Sequence, residues 1–378
     1  MEQKVIFNGQ VFTLTRFWAT EEPCLWITDP QQIEMPKMEL VGGHPDEYCI
    51  FLKNLTETEL AQITSLDGAP LDVREELRQF LTGKDNPMAL QDKKIMPPPW
   101  LAHREIERYS IGWRMGYGED YIYRFGDWLD TLSPEERTEY RTLFPEPVTW
   151  KGWWDDEDSS EVLEHGDFLV DAWQPEGQPK YTRQWLQQEF AAGRKRELCL
   201  FWGHQPSEDG QLTKSCLSQW WMEDFYTTAD SYLCMEQYMM AAKAELFGDK
   251  EIRDQILKCS DQKQIKALGR KVRGFEQKVW DKFKYAIVLG GNWCKFSQNR
   301  DLREFLLSTG DSVLVEASPY DAIWGIRLAA SSPEAQDPMK WRGQNLLGFA
   351  LMEVRDELRR VTENEMLCDW STVWEYEE

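Results

Sequence analysis

A carboxylate and an amine share one face of a mostly apolar stretch near the middle of the chain. In MEQYMMAAKAELFG, residues 235–248, a helical period of 3.6 residues places Glu236, Met240 and Lys243 on the same side. A charged side chain on a buried helix is expected to be paired or functional. The stretch therefore indicates either a functional Glu236 and Lys243 or a helix with one exposed face.

The segment VLGGNWCKFSQN, residues 288–299, offers several groups that bind nucleosides. Gly290-Gly291 predicts a tight turn or a close backbone approach. In the predicted loop, Trp293 supplies a ring that stacks on a base, amides hydrogen-bond to base edges, and Lys295 supplies a cation for phosphate. The alternative is a polar turn whose aromatic rings pack inward.

Two carboxylates and a Trp follow a short predicted strand in LVEASPYDAIWGI, residues 314–326. Glu316, Asp321 and Trp324 come at or just beyond the end of that strand, an arrangement that suits ribose hydroxyls. The alternative is a capped loop with a core Trp.

A basic segment lies between these motifs. Residues 263–284 contain eight Lys and Arg, among them Lys266 and Arg270, against two acidic residues. Such a segment is able to bind a phosphate, or it is a solvated helix face.

The motifs that are absent exclude several kinds of chemistry. The eight Cys include no C-x-x-C pair and the four His have no ligand spacing, so no metal site is expected. The sequence has no P-loop, no dinucleotide-binding fingerprint and no G-x-S-x-G, and no cofactor is expected. The N-terminus lacks a signal-peptide core, and no apolar run approaches the roughly 20 residues that span a bilayer, so we expect a reduced, cytoplasmic protein without a membrane partner.

The charge is strongly acidic overall but uneven. The 378 residues carry a net charge of −23, which excludes a protein that coats DNA by general electrostatics. Residues 197–362 are near neutral, with 22 basic and 24 acidic residues, between an acidic first half and a short acidic tail.

Local patterns predict a mixture of helices and a few strands, which is typical of an α+β protein. Predicted strands cover 5–14, 47–53, 198–202 and 313–315. Predicted helices cover 72–81, a segment beginning at Pro134 after Ser133, a short helix ending near Phe190, and then 235–247, 250–259, 261–269, 275–290, 300–308 and 345–360. Proline and glycine predict linkers at 83–100 and 174–180.

The second half of the chain resembles the NADAR family, the YbiA-like group linked to NAD, ADP-ribose and riboflavin metabolism. The matching pieces occur in order over about residues 198–360: FWGH at 201–204, CLSQWW at 216–221, EQYMMAAKAELFGD at 236–249, LGRKV at 268–272, KFSQN at 295–299, LVEASPYDAIWGI at 314–326 and WRGQNLLGFALMEVRDEL at 341–358. Arg327 stands where the family commonly has glycine after W-G-I. We therefore divide the chain into an α+β domain (1–92), a Trp-rich acidic extension with linkers (93–196), a mostly helical NADAR-like domain with a small sheet (197–362) and an acidic tail (363–378).

The resemblance implies hydrolysis of an N-glycosidic bond between ribose and a nucleobase-like group. Family members act on phosphoribosylamino-pyrimidine intermediates of riboflavin synthesis or remove ADP-ribose from guanine in nucleic acid. The resemblance implies that Glu236 stabilises an oxocarbenium-like transition state or activates water. It implies that Lys243 is a phosphate ligand or an amine nucleophile. The predicted substrate-binding residues are Trp220, Trp293 and Trp324 for the base, Arg270 and Lys295 for phosphate, and Asn299 and Asp321 for ribose hydroxyls.

Two other functions fit the sequence. The NADAR-like region is compatible with a non-catalytic module that senses NAD or ADP-ribose in a defence or toxin–antitoxin system. The second alternative is that residues 1–196 are the active part of the protein and that the second half of the chain is a scaffold. The expected ligands are a ribosylated small molecule or an ADP-ribosylated nucleotide or nucleic acid, and the protein partner of the acidic half is unknown.

Overall fold

A computed structural model describes residues 3–16, 23–28, 37–40, 47–66, 68–69, 71, 73, 90, 93–154, 165–207 and 209–373. The chain divides into two compact units. Unit 1 comprises Met1–Lys93 and Pro134–Leu143, and unit 2 comprises Lys94–Ser133 and Phe144–Glu378. The helix predicted over 72–81 lies outside the described residues. The division of the chain into four parts stays a prediction.

Unit 1 contains a six-stranded antiparallel sheet with the order β4-β5-β3-β2-β1-β6. Its strands are β1 (Gln3–Phe7), β2 (Gln10–Arg16), β3 (Pro23–Thr28), β4 (Glu39–Leu40), β5 (Glu47–Phe51) and β6 (Thr64–Ser65). The strand predicted over 5–14 is a hairpin. Asn8 and Gly9 form its turn with φ angles of 48° and 77°, which is the Asn-Gly signature of a two-residue hairpin turn.

Two described helices belong to unit 1, α1 (Glu57–Leu60) and α4 (Pro134–Leu143). The start of α4 at Pro134 confirms the helix predicted after Ser133, because proline fits the first helical position, where no backbone N–H is needed.

Unit 2 is mostly helical. Its helices are α2 (Pro99–Ala102), α3 (Tyr117–Asp130), α5 (His165–Trp173), α6 (Arg183–Ala191), α7 (Met235–Leu246), α8 (Lys250–Leu257), α9 (Gln262–Gly269), α10 (Gln277–Gln298), α11 (Arg300–Ser308) and α12 (Leu346–Thr362). Its strands are β7 (Leu198–Phe201), β8 (Phe225–Tyr226), β9 (Ser231–Tyr232) and β10 (Val313–Glu316). The long α10 packs against α5, α7 and α12, and α7 also packs against α8 and α9.

The loop predicted over 288–299 is wrong, because α10 continues through Gln298. Of the two interpretations of Gly290-Gly291, the close approach is confirmed. A Cβ on Gly290 would lie 2.7 Å from Leu169 Cδ2, and a Cβ on Gly291 would lie 2.5 Å from the Tyr238 ring. The glycines therefore let α5 and α7 pack closely on α10 instead of turning the chain.

The α+β class is confirmed, as are the predicted strands β7 and β10 and the helices α7, α8, α9, α11 and α12, whose ends differ from the predicted ones by a few residues. In the part of the chain that the structure describes, no helix is both long enough and apolar enough to cross a membrane.

Candidate active site

The candidate site lies at the carboxyl ends of two parallel strands. β7 and β10 pair in parallel with Glu316 opposite Phe201, so both strands end at the same edge. The amide of Ala317 donates to the carbonyl of Phe201 at 2.8 Å and extends the pairing by one residue. Loops that follow the carboxyl ends of parallel strands are the usual place for ligands in open α/β sheets.

Asn345 fixes the end of β10. Its side chain is fully buried, accepts a hydrogen bond from Glu316 N at 2.9 Å and donates one to Leu314 O at 2.9 Å. Asn345 has a φ of 58°, in the left-handed region that asparagine tolerates better than most residues. A Cβ on Gly348, in the first turn of α12, would clash with Leu314 O, so this helix needs glycine to approach the strand.

Glu236 lies in the first turn of α7 and is 7% exposed. Its backbone N–H donates to Gln219 O at 2.9 Å, which ties the helix to the preceding loop. Burial raises the pKa of the Glu236 carboxyl to about 7; Lys266 opposes the rise and Asp321 adds to it. The raised pKa lets the Glu236 carboxyl exchange a proton near neutral pH.

Glu316, the half-buried last residue of β10, is the second acid of the site. Burial raises its pKa to about 8, and the charges of Asp321 and Glu236 add to the rise. Its Oε2 atom is buried and has no hydrogen-bond partner among the described residues. The mutual effects place Glu236, Glu316 and Asp321 in one cluster, with Lys266 as the cation that acts on both glutamates.

Asp321 belongs to a tight turn after β10. Its Oδ1 accepts hydrogen bonds from Ile323 N and Trp324 N, both at 2.7 Å. Its carbonyl accepts from the amide of Arg327 at 3.0 Å. Arg327 has a φ of 55°, which is a backbone conformation typical of glycine. The turn thus holds Arg327 in a backbone conformation that glycine adopts more readily.

An exposed aromatic and cationic edge borders this cluster. Lys266 Nζ lies 5.9 Å from the centre of the Trp220 ring, and the His204 ring lies 6.5 Å from the same ring. Gln262 donates to Trp220 O at 2.9 Å and so holds the loop against α9. Gln219 Oε1, next to Trp220, is buried and finds no hydrogen-bond partner in the described part of the chain.

The structure does not bring Lys243 to Glu236. The two residues are seven positions apart on α7, which is about 10 Å along a helix axis. Lys243 Nζ donates to Gly269 O at 2.9 Å and lies 4.2 Å from the centre of the Phe275 ring. Burial lowers the pKa of the Lys243 amine.

Lys295 and Trp293 lie in the core on α10. Lys295 is fully buried and donates to Cys216 O at 2.9 Å and Ser218 O at 3.2 Å, and burial lowers its pKa to about 8. Trp293 is 9% exposed and packs edge-on against Trp173, with 6.0 Å between the ring centres. Lys295 thus holds the backbone that leads into Gln219.

The remaining predicted binding residues occupy different surroundings. The Asn299 amide donates to Asp224 O at 3.1 Å and Lys295 O at 3.0 Å. Arg270 is exposed at the end of α9, the helix that carries Lys266. Trp324 is half-buried, beside Asp321. The structure therefore groups Glu236, Asp321, Trp220 and Trp324 near one strand edge, and their roles stay predictions.

Comparison with known proteins identifies this part of the chain. A family model of the NADAR domain matches residues 200–359. N-glycosidase R617 of Acanthamoeba polyphaga mimivirus is 50% identical over 145 residues, which are 37% of this chain and 85% of the relative. The chain belongs to the NADAR family. N-glycosidase YbiA of Escherichia coli K12 is 32% identical over 123 residues, which are 32% of this chain and 68% of the relative.

Two further proteins are similar to this chain. Protein irg-1 of Caenorhabditis elegans is 43% identical over 129 residues, 34% of this chain and 61% of the relative. The NMR structure of E. coli YbiA is 26% identical, with 43% of this chain and 86% of that chain covered and a TM-score of 0.35. Since relatives are named N-glycosidases, the enzyme class is a glycosylase-type hydrolase.

Sequence reasoning does not give three residues at this edge a role in the reaction. It places Glu316 with ribose hydroxyls, treats Lys266 as one of eight basic residues and includes Gln219 only within CLSQWW. The signal that selects Glu316 is its position at the strand end, opposite Phe201 of FWGH. No local sequence pattern selects Lys266, because only the folded chain brings α9 next to the loop that carries Trp220.

Proposed function

We propose that Glu236 and Glu316 are the acid–base pair of an N-glycosidase that cleaves the bond between C1′ of a ribose and a nucleobase-like nitrogen. The observation that carries this proposal is the pair of buried carboxyl groups, both with raised pKa values, beside the ends of β7 and β10. Two acids whose surroundings give them different pKa values are able to take different roles in one reaction.

The two carboxyls influence each other, because the charge of Glu236 raises the pKa of Glu316, so near neutral pH the pair shares a proton. We assign the general base to Glu236, whose ionised form Lys266 favours, and the general acid to Glu316. A positioned acid or base contributes roughly 10²–10⁴-fold to a rate.

The step balances with one water molecule. Glu236 takes a proton from water while the water oxygen bonds to C1′ and the C1′–N bond breaks. The electron pair of that bond goes to the base nitrogen, which receives the proton of Glu316. Positive charge builds on C1′ and the ring oxygen in the transition state, and the nearby Asp321 carboxylate stabilises it.

We propose that the aromatic edge recognises the two ends of the substrate. Trp220 and Trp324 stack on the base, and Lys266, together with Arg270 just after the same helix, binds phosphate. Asp321 and Asn299 remain our choices for ribose hydroxyls. Lys295 and Trp293 act by supporting the Cys216–Ser218 backbone and the α5–α10 packing.

The proposed substrates carry ribose as ADP-ribose on guanine or as ribose 5-phosphate on a pyrimidine of riboflavin synthesis. The experiment incubates the full chain with ADP-ribosyl-guanosine and with the phosphoribosylamino-pyrimidine, and detects the released base by mass spectrometry. Release from one of the two is expected, and release from neither contradicts this choice of substrates. Borohydride trapping of an adduct in wild type but not in Lys243→Ala would assign covalent chemistry to Lys243.

A further inference from the structure

A cavity in unit 2 has none of the candidate active-site residues in its wall. It has a volume of about 820 Å³, and its wall includes Leu101, Arg104, Arg303, Leu307, Glu365 and Trp370. Ligand pockets are typically roughly 300–1,000 Å³, so the cavity is large enough for a small organic molecule.

Two arginines in this wall depend on a single carboxylate. The Arg104 and Arg303 side chains are each 10% exposed, and both pair with Glu365. Arg104 Nη2 lies 2.8 Å from Glu365 Oε2, and Arg303 Nη2 donates to Glu365 Oε1 at 3.4 Å. Arg303 also donates to Ser297 O at 2.9 Å, whereas Glu365 is the one recorded partner of Arg104 in the described part of the chain. The two buried guanidinium groups therefore carry one more charge than Glu365 neutralises.

The other carboxylates of the wall make no ion pair with Arg104 or Arg303 among the described residues. Glu105 accepts from the Tyr117 hydroxyl at 3.1 Å and lies 3.5 Å from His103 Nδ1, and Glu304 pairs with the exposed Arg300 at 2.7 Å. Glu363 is exposed.

Arg104 has donors left over. Its Nη2 is buried and, despite the short distance to Glu365, makes no aligned hydrogen bond within the described residues. Burial and the charge of Arg303 lower the pKa of Arg104 to about 10. A buried cation with unused donors costs free energy unless a further partner binds it.

We propose that this cavity binds a small organic anion whose phosphate or carboxylate group lies between Arg104 and Arg303. The planar guanidinium groups match such oxyanions, and Leu307 and Trp370 offer apolar surface to the rest of the molecule. Arg104 precedes the matched NADAR domain, Arg303 lies within it and Glu365 follows it. The bound anion therefore joins the domain to the segments on both sides of it. This inference goes beyond the proposed N-glycosidase reaction and does not depend on it.

The test measures the melting temperature of the full chain with inorganic phosphate, phenyl phosphate or benzoate, each against sodium chloride at equal ionic strength. An anion that binds only the native state raises the melting temperature as its concentration exceeds its Kd. We expect Arg104→Met to raise the Kd at least about tenfold, because hydrogen bonds to charged groups are strong. Arg300→Met is the matched control, since Arg300 lies in the same wall but is exposed and paired, and it should keep the wild-type response.

The variants also separate this site from the active site. Lys266→Met should keep the response, and Arg104→Met should keep wild-type turnover. Without an anion, Arg104→Met should fold, because Glu365 still pairs with Arg303. If it does not fold, Arg104→Lys takes its place in the test. Lysine keeps the charge but lacks the planar pair of donors, so Arg104→Lys should also weaken binding. A larger response to phenyl phosphate than to benzoate identifies phosphate as the group, and the reverse identifies carboxylate. No response to any of the three anions, or a response that survives in Arg104→Met or Arg104→Lys, overturns the proposal.

Discussion

Burial keeps Glu236 and Glu316 partly protonated near neutral pH. It acts in the same way on Glu353 of α12, but that carboxyl already accepts three hydrogen bonds within the fold. Asp249, by contrast, has its pKa held far below the usual value by hydrogen bonds from Arg273. An acid that is stabilised in this second way is already paired and has no proton to exchange near neutral pH. The two buried glutamates remain able to give and take protons, which is what the proposed reaction requires.

Replacing Glu236 with Gln should stop turnover and leave substrate affinity nearly unchanged. Gln keeps the shape of the side chain but is unable to take a proton from water, and that proton transfer belongs to the transition state and not to substrate binding. We expect single-turnover base release to fall by at least about 100-fold. Glu245→Gln is the control, because Glu245 is an exposed glutamate on the same helix. Wild-type turnover in a folded Glu236→Gln protein would remove Glu236 from the mechanism.

Glu236→Gln should also change how stability depends on pH. The pKa of Glu236 is about 7 in the native state against 4.5 for a free carboxyl, so between those pH values the native state binds more protons than the unfolded state. Stability therefore falls as pH rises through this window, and the charged carboxylate costs about 3 kcal/mol at pH 8. The variant should melt above wild type at pH 8 and close to it at pH 5. A variant that melts below wild type at both pH values would contradict this account and make Glu236 a packing anchor.

At the scale of elements, the sequence predicts β7, β10 and most helices of the NADAR domain because their apolar periodicity is a local property. It does not predict the course of α10, because Gly-Gly has two uses and the choice depends on residues far away in sequence. Leu169 on α5 and Tyr238 on α7 occupy the space that a side chain at 290 or 291 would need. The same limit applies to Lys243 and Lys295, whose carbonyl partners Gly269 and Cys216 lie on other segments.

The two glycines of α10 should respond differently to alanine. Alanine gains about 1 kcal/mol of helix propensity at either position. At Gly290 the new Cβ meets the end of the Leu169 side chain, which is able to shift, so Gly290→Ala should lie within about 1 kcal/mol of wild type. At Gly291 it meets the Tyr238 ring at 2.5 Å and Met235 Cε at 2.8 Å, so Gly291→Ala should be less stable by about 1–3 kcal/mol. Denaturant unfolding measures both; equal losses would contradict the packing described for α10.

At the scale of the whole molecule, the residues before the matched domain are part of the packing of unit 2. The amides of Lys180 and Tyr181 donate to Glu353 on α12 at 3.0 and 3.4 Å, and the Tyr285 hydroxyl donates to the same oxygen at 2.8 Å. The amide of Val148 donates to Glu357, also on α12, at 2.7 Å. The bonds from residues 148, 180 and 181 satisfy buried carboxylates of the NADAR domain with groups that the family model does not include. The resemblance covers about residues 198–360, so it does not predict these hydrogen bonds from the preceding extension.

The net charge of −23 sets the expected salt dependence of substrate binding. If the ribosylated base is carried on a nucleic acid, its phosphates meet a mostly acidic protein. Lys266 on α9 is the cation that lies near Trp220, and Arg270 follows the end of that helix. Each phosphate contact adds roughly 0.7–0.9 to the slope of log affinity against log salt. We therefore expect a shallow slope of about 1–2, which Lys266→Met lowers by about one. Lys278→Met, an exposed lysine on α10, should leave the slope unchanged. A steep slope of about 5 or more would contradict the expectation of a short contact with the ribosylated end, because it would require a long track of bound phosphates.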